Sequence, residues 1–201
     1  MAETRERPLL PDGIVVVVKE ECATCHSVAP VLAQLDTATT LTVYTQDDPD
    51  FPSTTAALHD HDLAVSWHHD IETVPTVIRV ADGAEVERTV GWHREQWERV
   101  TGVSGLGPDL PAMRPGCGSM SVDPDLVDAL AVRFGATVLS SRRLDVADAE
   151  DEMEMMFTRG WTDGLPVVPP TEERVMRMLT GTTRAPSDLV ADVPPDLVGV
   201  T

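Results

Sequence analysis

The chain has few aromatic residues, few cysteines and no long hydrophobic run. Tryptophan, tyrosine and phenylalanine make up only 4% of its 201 residues, so any core must be aliphatic. Apolar residues reach 42%, which is enough for a packed core and argues against a disordered chain. Nothing approaches the ~18 consecutive apolar residues of a membrane span, and the charged start lacks a signal-peptide pattern. We therefore expect a cytoplasmic protein without a membrane partner.

Basic side chains are also scarce. The chain has 15 lysines and arginines and 34 aspartates and glutamates, which gives a net charge of −19 at pH 7. Such a field repels phosphate backbones and anionic lipid headgroups, and the acidity is spread along the whole chain. A nucleic-acid partner is therefore not expected for this acidic protein.

The hydrophobic pattern predicts a first domain over residues 1–104. The β-branched run Ile14–Val18 is typical of a strand buried on both faces. Further strands are predicted at 41–44, 76–80 and 86–90, with an Asp82-Gly83 hairpin turn. Helices are predicted at 23–35, from Ser53 to about Leu63, and at 94–100. The resulting order, β-α-β-α-β-β-α, indicates a three-layer α/β fold with a mixed central sheet.

Residues 105–201 are expected to form a Pro/Gly-rich linker and a partial C-terminal domain. Glycines and prolines cluster between Gly102 and Gly118, which favours a linker there. Helices are predicted from Asp123 to Phe134, over 147–159 and from Thr171 to about Leu179, and a short strand at 137–139. Residues 161–170 are rich in proline and should be extended. We expect a mixed α/β or partly extended segment, the start of a longer region.

Cys22 and Cys25 form a CxxC pair that follows the first strand and opens the first helix. A thiol at a helix N-terminus faces unpaired N–H groups, which favour the thiolate and lower its pKa from about 8.5 to roughly 3.5–7.5. Cys25 lies one turn further on, where it could close a disulfide after Cys22 has attacked a substrate. Cys22 is predicted to be the exposed nucleophile and Cys25 the resolving thiol.

Three other positions fit the same chemistry. Pro30 lies five residues after Cys25, within the first helix. Pro75 follows Val74 just before a predicted strand, where a cis-proline could hold a loop against the cysteines. Gly91 ends the last strand of the predicted sheet and would allow another backbone to approach closely.

Residues 14–102 resemble the thioredoxin family. The resemblance rests on Cys22-Ala-Thr-Cys25 with Pro30, on Thr73-Val-Pro75-Thr-Val and on Val90-Gly91. It implies thiol–disulfide exchange with Cys22, Cys25 and a cis Pro75 as catalytic residues, and a substrate groove formed by Val74, Thr76 and Gly91. The expected partners are protein or small-molecule disulfides, with no cofactor and no metal. The sequence departs from the family pattern at Glu21, where tryptophan is usual.

Other functions remain open for the cysteine pair. The domain could be an accessory that docks on, or delivers electrons to, a fused C-terminal catalytic region. It could also be a redox-inactive docking module. Cys22, Cys25 and His26 could instead bind a metal with a histidine from His68-His69. The same Cys-x-x-Cys-His motif occurs at c-type haem attachment sites, but the buried strand that precedes it here argues against haem attachment.

Cys117 is the third cysteine and is flanked by glycines. We expect it to lie in a flexible, accessible loop, either as an incidental residue or as a second redox thiol. Gly116-Cys-Gly-Ser-Met120, together with the proline-rich segment 163–171, is similar to bacterial proteins of the UGSC type. The resemblance makes Cys117 a candidate thiol, with Met120 where that motif has another cysteine.

Overall fold

A computed structural model describes residues 7–135, 146, 151–185, 188–195 and 198–200. The chain divides into two compact units, Met1–Phe134 and Gly135–Thr201. The domain boundary predicted at residue 104 therefore lies inside the first unit. Within the described part of the chain, no helix is both long and apolar enough to cross a membrane.

The first unit is a mixed α/β structure built on a five-stranded sheet. The strands of this unit, inside and outside the central sheet, are β1 (Gly13–Val18), β2 (Leu41–Thr45), β3 (Ala57–His59), β4 (Thr73–Val74), β5 (Thr76–Ala81), β6 (Ala84–Val90), β7 (Trp92–His93), β8 (Met113–Arg114) and β9 (Cys117–Gly118). The central sheet has the order β3-β2-β1-β5-β6. The strands β1, β2 and β3 run parallel, whereas β5 and β6 add an antiparallel hairpin. The predicted α/β class and mixed central sheet are confirmed.

β1 lies in the middle of this sheet because its side chains are apolar on both faces. Val16 pairs with Val43 on one side and with Val77 on the other. All five residues from Ile14 to Val18 are buried. The prediction of a fully buried strand is confirmed. The chain that leaves β1 therefore emerges at the centre of one sheet edge, and the two neighbouring cysteines lie there.

The helices of the first unit are α1 (Ala23–Ala38), α2 (Ala64–His68), α3 (Arg94–Thr101) and α4 (Val127–Phe134). Pro30 lies inside α1, which continues for two more turns. α3 ends at Gly102, whose φ of 73° is the left-handed conformation expected of a helix stop. Asp82 and Gly83 both have positive φ in the turn between β5 and β6, as the predicted hairpin requires.

The helix predicted from Ser53 to about Leu63 is wrong. This stretch contains a turn and then β3, which pairs in parallel with β2 through Ala57 and Val43. The helix α2 begins later because the Asp60 carboxylate accepts hydrogen bonds from the backbone N–H groups of Val65 and Ser66, at 2.8 and 2.9 Å. A strand partner and a helix-capping carboxylate thus outweigh the local helical pattern.

Residues 105–118 belong to the first unit and pack within it rather than forming a free linker. Leu106 is buried in the core. The Arg94 guanidinium donates hydrogen bonds to the backbone carbonyls of Leu106 and Gly107, at 3.0 and 2.7 Å. β8 pairs antiparallel with β7, and β9 pairs antiparallel with β4. We call Met113–Gly118, which includes β8 and β9, the covering segment.

The second unit contains helices α5 (Glu152–Thr158) and α6 (Glu172–Leu179) and strands β10 (Ala191–Val193) and β11 (Val198–Val200). Thr171 caps α6 as predicted, since its hydroxyl accepts a hydrogen bond from the Arg174 N–H. β10 and β11 form an antiparallel pair that the sequence pattern did not indicate. The strand predicted at 137–139 and the first residues of the helix predicted over 147–159 lie outside the described residues.

Candidate functional site

Cys22 is the N-cap of α1, as predicted. Its backbone is extended, and its sulfur accepts a hydrogen bond from the Cys25 N–H at 3.3 Å. The sulfur thus occupies the position of the side-chain oxygen in an ordinary helix cap. Since α1 follows the central strand β1, this helix N-terminus is held against the middle of the sheet edge.

The surroundings of Cys22 favour its thiolate. The pKa of the Cys22 thiol is lowered to about 5, chiefly because the Cys25 thiol donates a hydrogen bond to it. Hydrogen bonds from the Cys117 thiol and from the backbone N–H groups of Cys25 and Thr24 act in the same direction, while burial opposes them. At neutral pH, Cys22 is therefore anionic.

Cys25 has the opposite properties. It is fully buried in the first turn of α1. Its pKa is raised, first because its proton is held in the hydrogen bond to Cys22, and then by burial. Cys25 therefore keeps its proton while Cys22 is anionic.

The expected exposure of Cys22 is wrong. Only 2% of its surface is accessible, because the covering segment lies over it. Cys117 is half-buried and is the most accessible of the three cysteines, all of which are free thiols. An external reagent therefore reaches the sulfur of Cys117 more readily than that of Cys22.

Pro75 lies beside the cysteine pair, and the Val74–Pro75 peptide bond is cis, as predicted. The Cys22 sulfur is 3.6 Å from the Val74 carbonyl oxygen. The Pro75 carbonyl accepts a hydrogen bond from the Gly91 N–H at 2.7 Å, which joins this loop to the end of β6. The structure thus brings Cys22, Cys25 and Pro75 into one site.

The three residues expected to line a substrate groove differ in what they contact. The Val74 backbone pairs with Cys117 in the short β4–β9 ladder. Gly91 has a φ of 66°, and a Cβ on it would lie 2.8 Å from the Gly116 nitrogen, so close backbone approach does occur here. The buried Thr76 hydroxyl donates to the Thr73 carbonyl at 2.5 Å. Val74 and Gly91 therefore hold the covering segment, whereas Thr76 stabilises the loop from within.

Cys117 lies in a strand and not in the flexible loop expected for it. It is placed in β9 opposite Val74, and its sulfur is 2.7 Å from that of Cys22. Burial raises the pKa of the Cys117 thiol, and its hydrogen bond to Cys22 raises it further. Sequence reasoning identified Cys117 as a candidate thiol but not its contact with Cys22.

Two further residues of this site were missed at the sequence level. The Thr24 hydroxyl donates to the Pro115 carbonyl at 2.6 Å. Gly116 lies so close to β4 that a Cβ there would be 2.7 Å from the Val74 carbonyl oxygen. The only signal for them in the sequence is the glycine on each side of Cys117.

The histidines considered for a metal site have other contacts. His26 is exposed, and its Nε2 lies 3.4 Å from a Glu20 carboxylate oxygen. The His69 ring contacts the Arg7 guanidinium and the Pro8 carbonyl, at 3.1 and 2.8 Å. Among the residues for which the structure gives positions, no group of three or more His, Cys, Asp or Glu side chains is arranged to hold a metal ion.

Comparisons with protein-family models and with curated proteins found no match to this chain.

The ionisation of Cys22 gives a pH-dependent signal. A pKa of about 5 means that its thiolate forms as the pH rises from about 4 to 6, whereas an ordinary cysteine ionises near 8.5. The thiolate ultraviolet absorbance of the reduced protein should rise with a midpoint near pH 5. This rise should be absent from Cys22→Ser. A midpoint near 8.5 in the unmodified chain would contradict the stabilisation of the thiolate.

Proposed function

We propose that this protein is a thiol–disulfide oxidoreductase with a thioredoxin-like fold, and that Cys22 and Cys25 carry the exchange. The observation that carries the proposal is the pairing of an anionic Cys22 at the N-terminus of α1 with a protonated Cys25 one turn further on. The position of Pro75 beside them and the mixed sheet support the same fold.

The two cysteines have different roles in the exchange. The Cys22 thiolate attacks one sulfur of a disulfide, which releases one thiol and leaves a mixed disulfide on Cys22. Cys25 then loses its proton and attacks the Cys22 sulfur, which releases the second thiol and forms the Cys22–Cys25 disulfide. The low pKa of Cys22 also makes it a good leaving group in the reverse direction. The substrates are protein or small-molecule disulfides.

A redox titration tests this proposal. The full chain is equilibrated across a glutathione or dithiothreitol series, and mass-tagged alkylation counts the free thiols at each potential. Cys22 and Cys25 should oxidise together in one two-electron step, for which a tenfold change in ratio spans about 30 mV. Cys25→Ser is the matched control, because any intramolecular disulfide that it forms must join Cys22 to Cys117, and mapping of the tagged peptides distinguishes that disulfide from the Cys22–Cys25 pair. If Cys22 and Cys25 never form a disulfide with each other, the proposal is overturned.

One observation favours a second candidate function, in which the domain serves another part of the same protein. Cys22 is buried against Cys117, so its nearest reaction partner belongs to this chain. In that case the isolated chain would reduce generic disulfides poorly, and activity would appear only with a C-terminal region or partner. Fast reduction of a small disulfide by the chain alone would favour the first function.

A further inference from the structure

The covering segment lies over the nucleophile of the proposed exchange. β9 pairs antiparallel with β4 in the register Val74–Cys117, which places the Cys117 side chain over the N-terminus of α1. Cys22 is 2% exposed and Cys25 is fully buried, whereas Cys117 is only half-buried. A disulfide approaching from solvent therefore meets the Cys117 sulfur before the Cys22 sulfur.

Several independent contacts hold the covering segment in place. The Thr24 hydroxyl binds the Pro115 carbonyl at 2.6 Å, and the Arg114 guanidinium donates to the Ser27 hydroxyl at 2.5 Å. Beyond Gly118, the Ser119 N–H donates to the Glu72 carbonyl at 3.0 Å. These contacts join the segment both to α1 and to the loop that precedes Pro75. The position of Cys117 is therefore fixed by the backbone on both sides.

The two sulfurs are close enough to react after a small movement. They lie 2.7 Å apart, and a disulfide bond is about 2.05 Å long, so a shift of less than about 1 Å would bring them to bonding distance. Cys22 supplies the thiolate, and the β4–β9 pairing holds the Cys117 sulfur next to it.

We propose that Cys117 is the third redox thiol of this protein and the entry point for outside disulfides, which it passes to Cys22. The inference rests on the proposed exchange through Cys22 and Cys25. The substrate class is a small disulfide RSSR, such as glutathione disulfide.

The relay has three balanced exchanges. In the first, the Cys117 sulfur bonds to one sulfur of RSSR, the other leaves as RS⁻, and RS⁻ takes the Cys117 proton. In the second, the Cys22 thiolate bonds to the Cys117 sulfur, and the second RS⁻ leaves and takes a proton from water. In the third, the Cys25 sulfur bonds to Cys22, and Cys117 leaves and regains a proton from Cys25. Two electrons pass from the Cys22–Cys25 pair to RSSR, and Cys117 is regenerated.

The first test traps the middle step. The Cys25→Ser variant of the full chain is treated with glutathione disulfide, quenched with acid and digested without reductant for peptide mapping. A disulfide between the Cys22 and Cys117 peptides is expected, because the third exchange cannot occur. A glutathione adduct on Cys22 with Cys117 left as a free thiol would overturn the relay.

The second test separates the relay from the proposed function. In Cys117→Ser, oxidation of the Cys22–Cys25 pair by glutathione disulfide should be at least about tenfold slower than in the unmodified chain. The equilibrium redox titration of this variant should still show one two-electron step for the pair. An equal or faster rate would overturn the relay and leave the exchange function standing. Failure of the pair to form in the unmodified chain at any potential would overturn both.

Discussion

Replacing Cys22 by serine is expected to abolish the intramolecular disulfides of the site and to leave only the adduct that a small disulfide forms on Cys117. The Cys22 sulfur takes part in both intramolecular disulfides, with Cys117 and with Cys25, and serine supplies no thiolate. Cys25 should not take over, because it is fully buried and keeps its proton. The measurement is peptide mapping after the reduced chain has been treated with a small disulfide and no other reductant.

Cys25→Ser is the control for this loss, since it keeps the nucleophile but removes the resolving thiol. It should react once with the disulfide and then stop, with Cys22 held in a disulfide. Serine at position 22 and serine at position 25 therefore give different disulfide products. If Cys25→Ser turns over at the rate of the unmodified chain, the assigned roles are wrong.

Replacing Gly116 by alanine is expected to displace the covering segment and open the site. A Cβ at this position would overlap the Thr73 methyl group and lie 2.7 Å from the Val74 carbonyl oxygen. Forcing such a contact typically costs about 1–3 kcal/mol, which corresponds to a rise of about 5-fold to 150-fold in the displaced population. The rate of Cys22 alkylation at neutral pH should rise by a similar factor, and the urea midpoint should fall.

Gly118→Ala is the matched control, because it lies two residues further along the covering segment. A Cβ on Gly118 meets no atom within 4 Å, so the covering segment should stay in place. Cys22 should remain as protected as in the unmodified chain. Equal alkylation rates in Gly116→Ala and Gly118→Ala would show that the close approach at Gly116 does not hold the segment down.

The local parts of the site could be predicted from the sequence. The run Ile14–Val18, followed directly by Cys22, indicates a buried strand that delivers a thiol to a helix N-terminus. The cis bond before Pro75 and the turn at Asp82 and Gly83 also depend on residues that are adjacent in the chain. Short-range chemistry determines these features, and so a single sequence contains the signal.

The parts that could not be predicted depend on distant pairings. Cys22 and Cys117 are 95 positions apart, and nothing in the glycine-flanked motif around Cys117 shows that it pairs with Val74. The exposure of Cys22 was predicted wrongly for the same reason, because its cover comes from that distant segment. The strand β3 was missed because its partner β2 lies beyond an irregular stretch, and parallel pairing leaves no turn signature.

The pairing of β9 with β4 makes Cys117 a tethered reactant. Well-oriented groups within one molecule can react as if present at effective concentrations of about 10⁵ M or more, far above any dissolved thiol. Free thiols at millimolar levels would then compete poorly with Cys117 for an oxidised Cys22. Dilution of the protein should leave the exchange between these two sulfurs unchanged, since neither partner has to be found by diffusion.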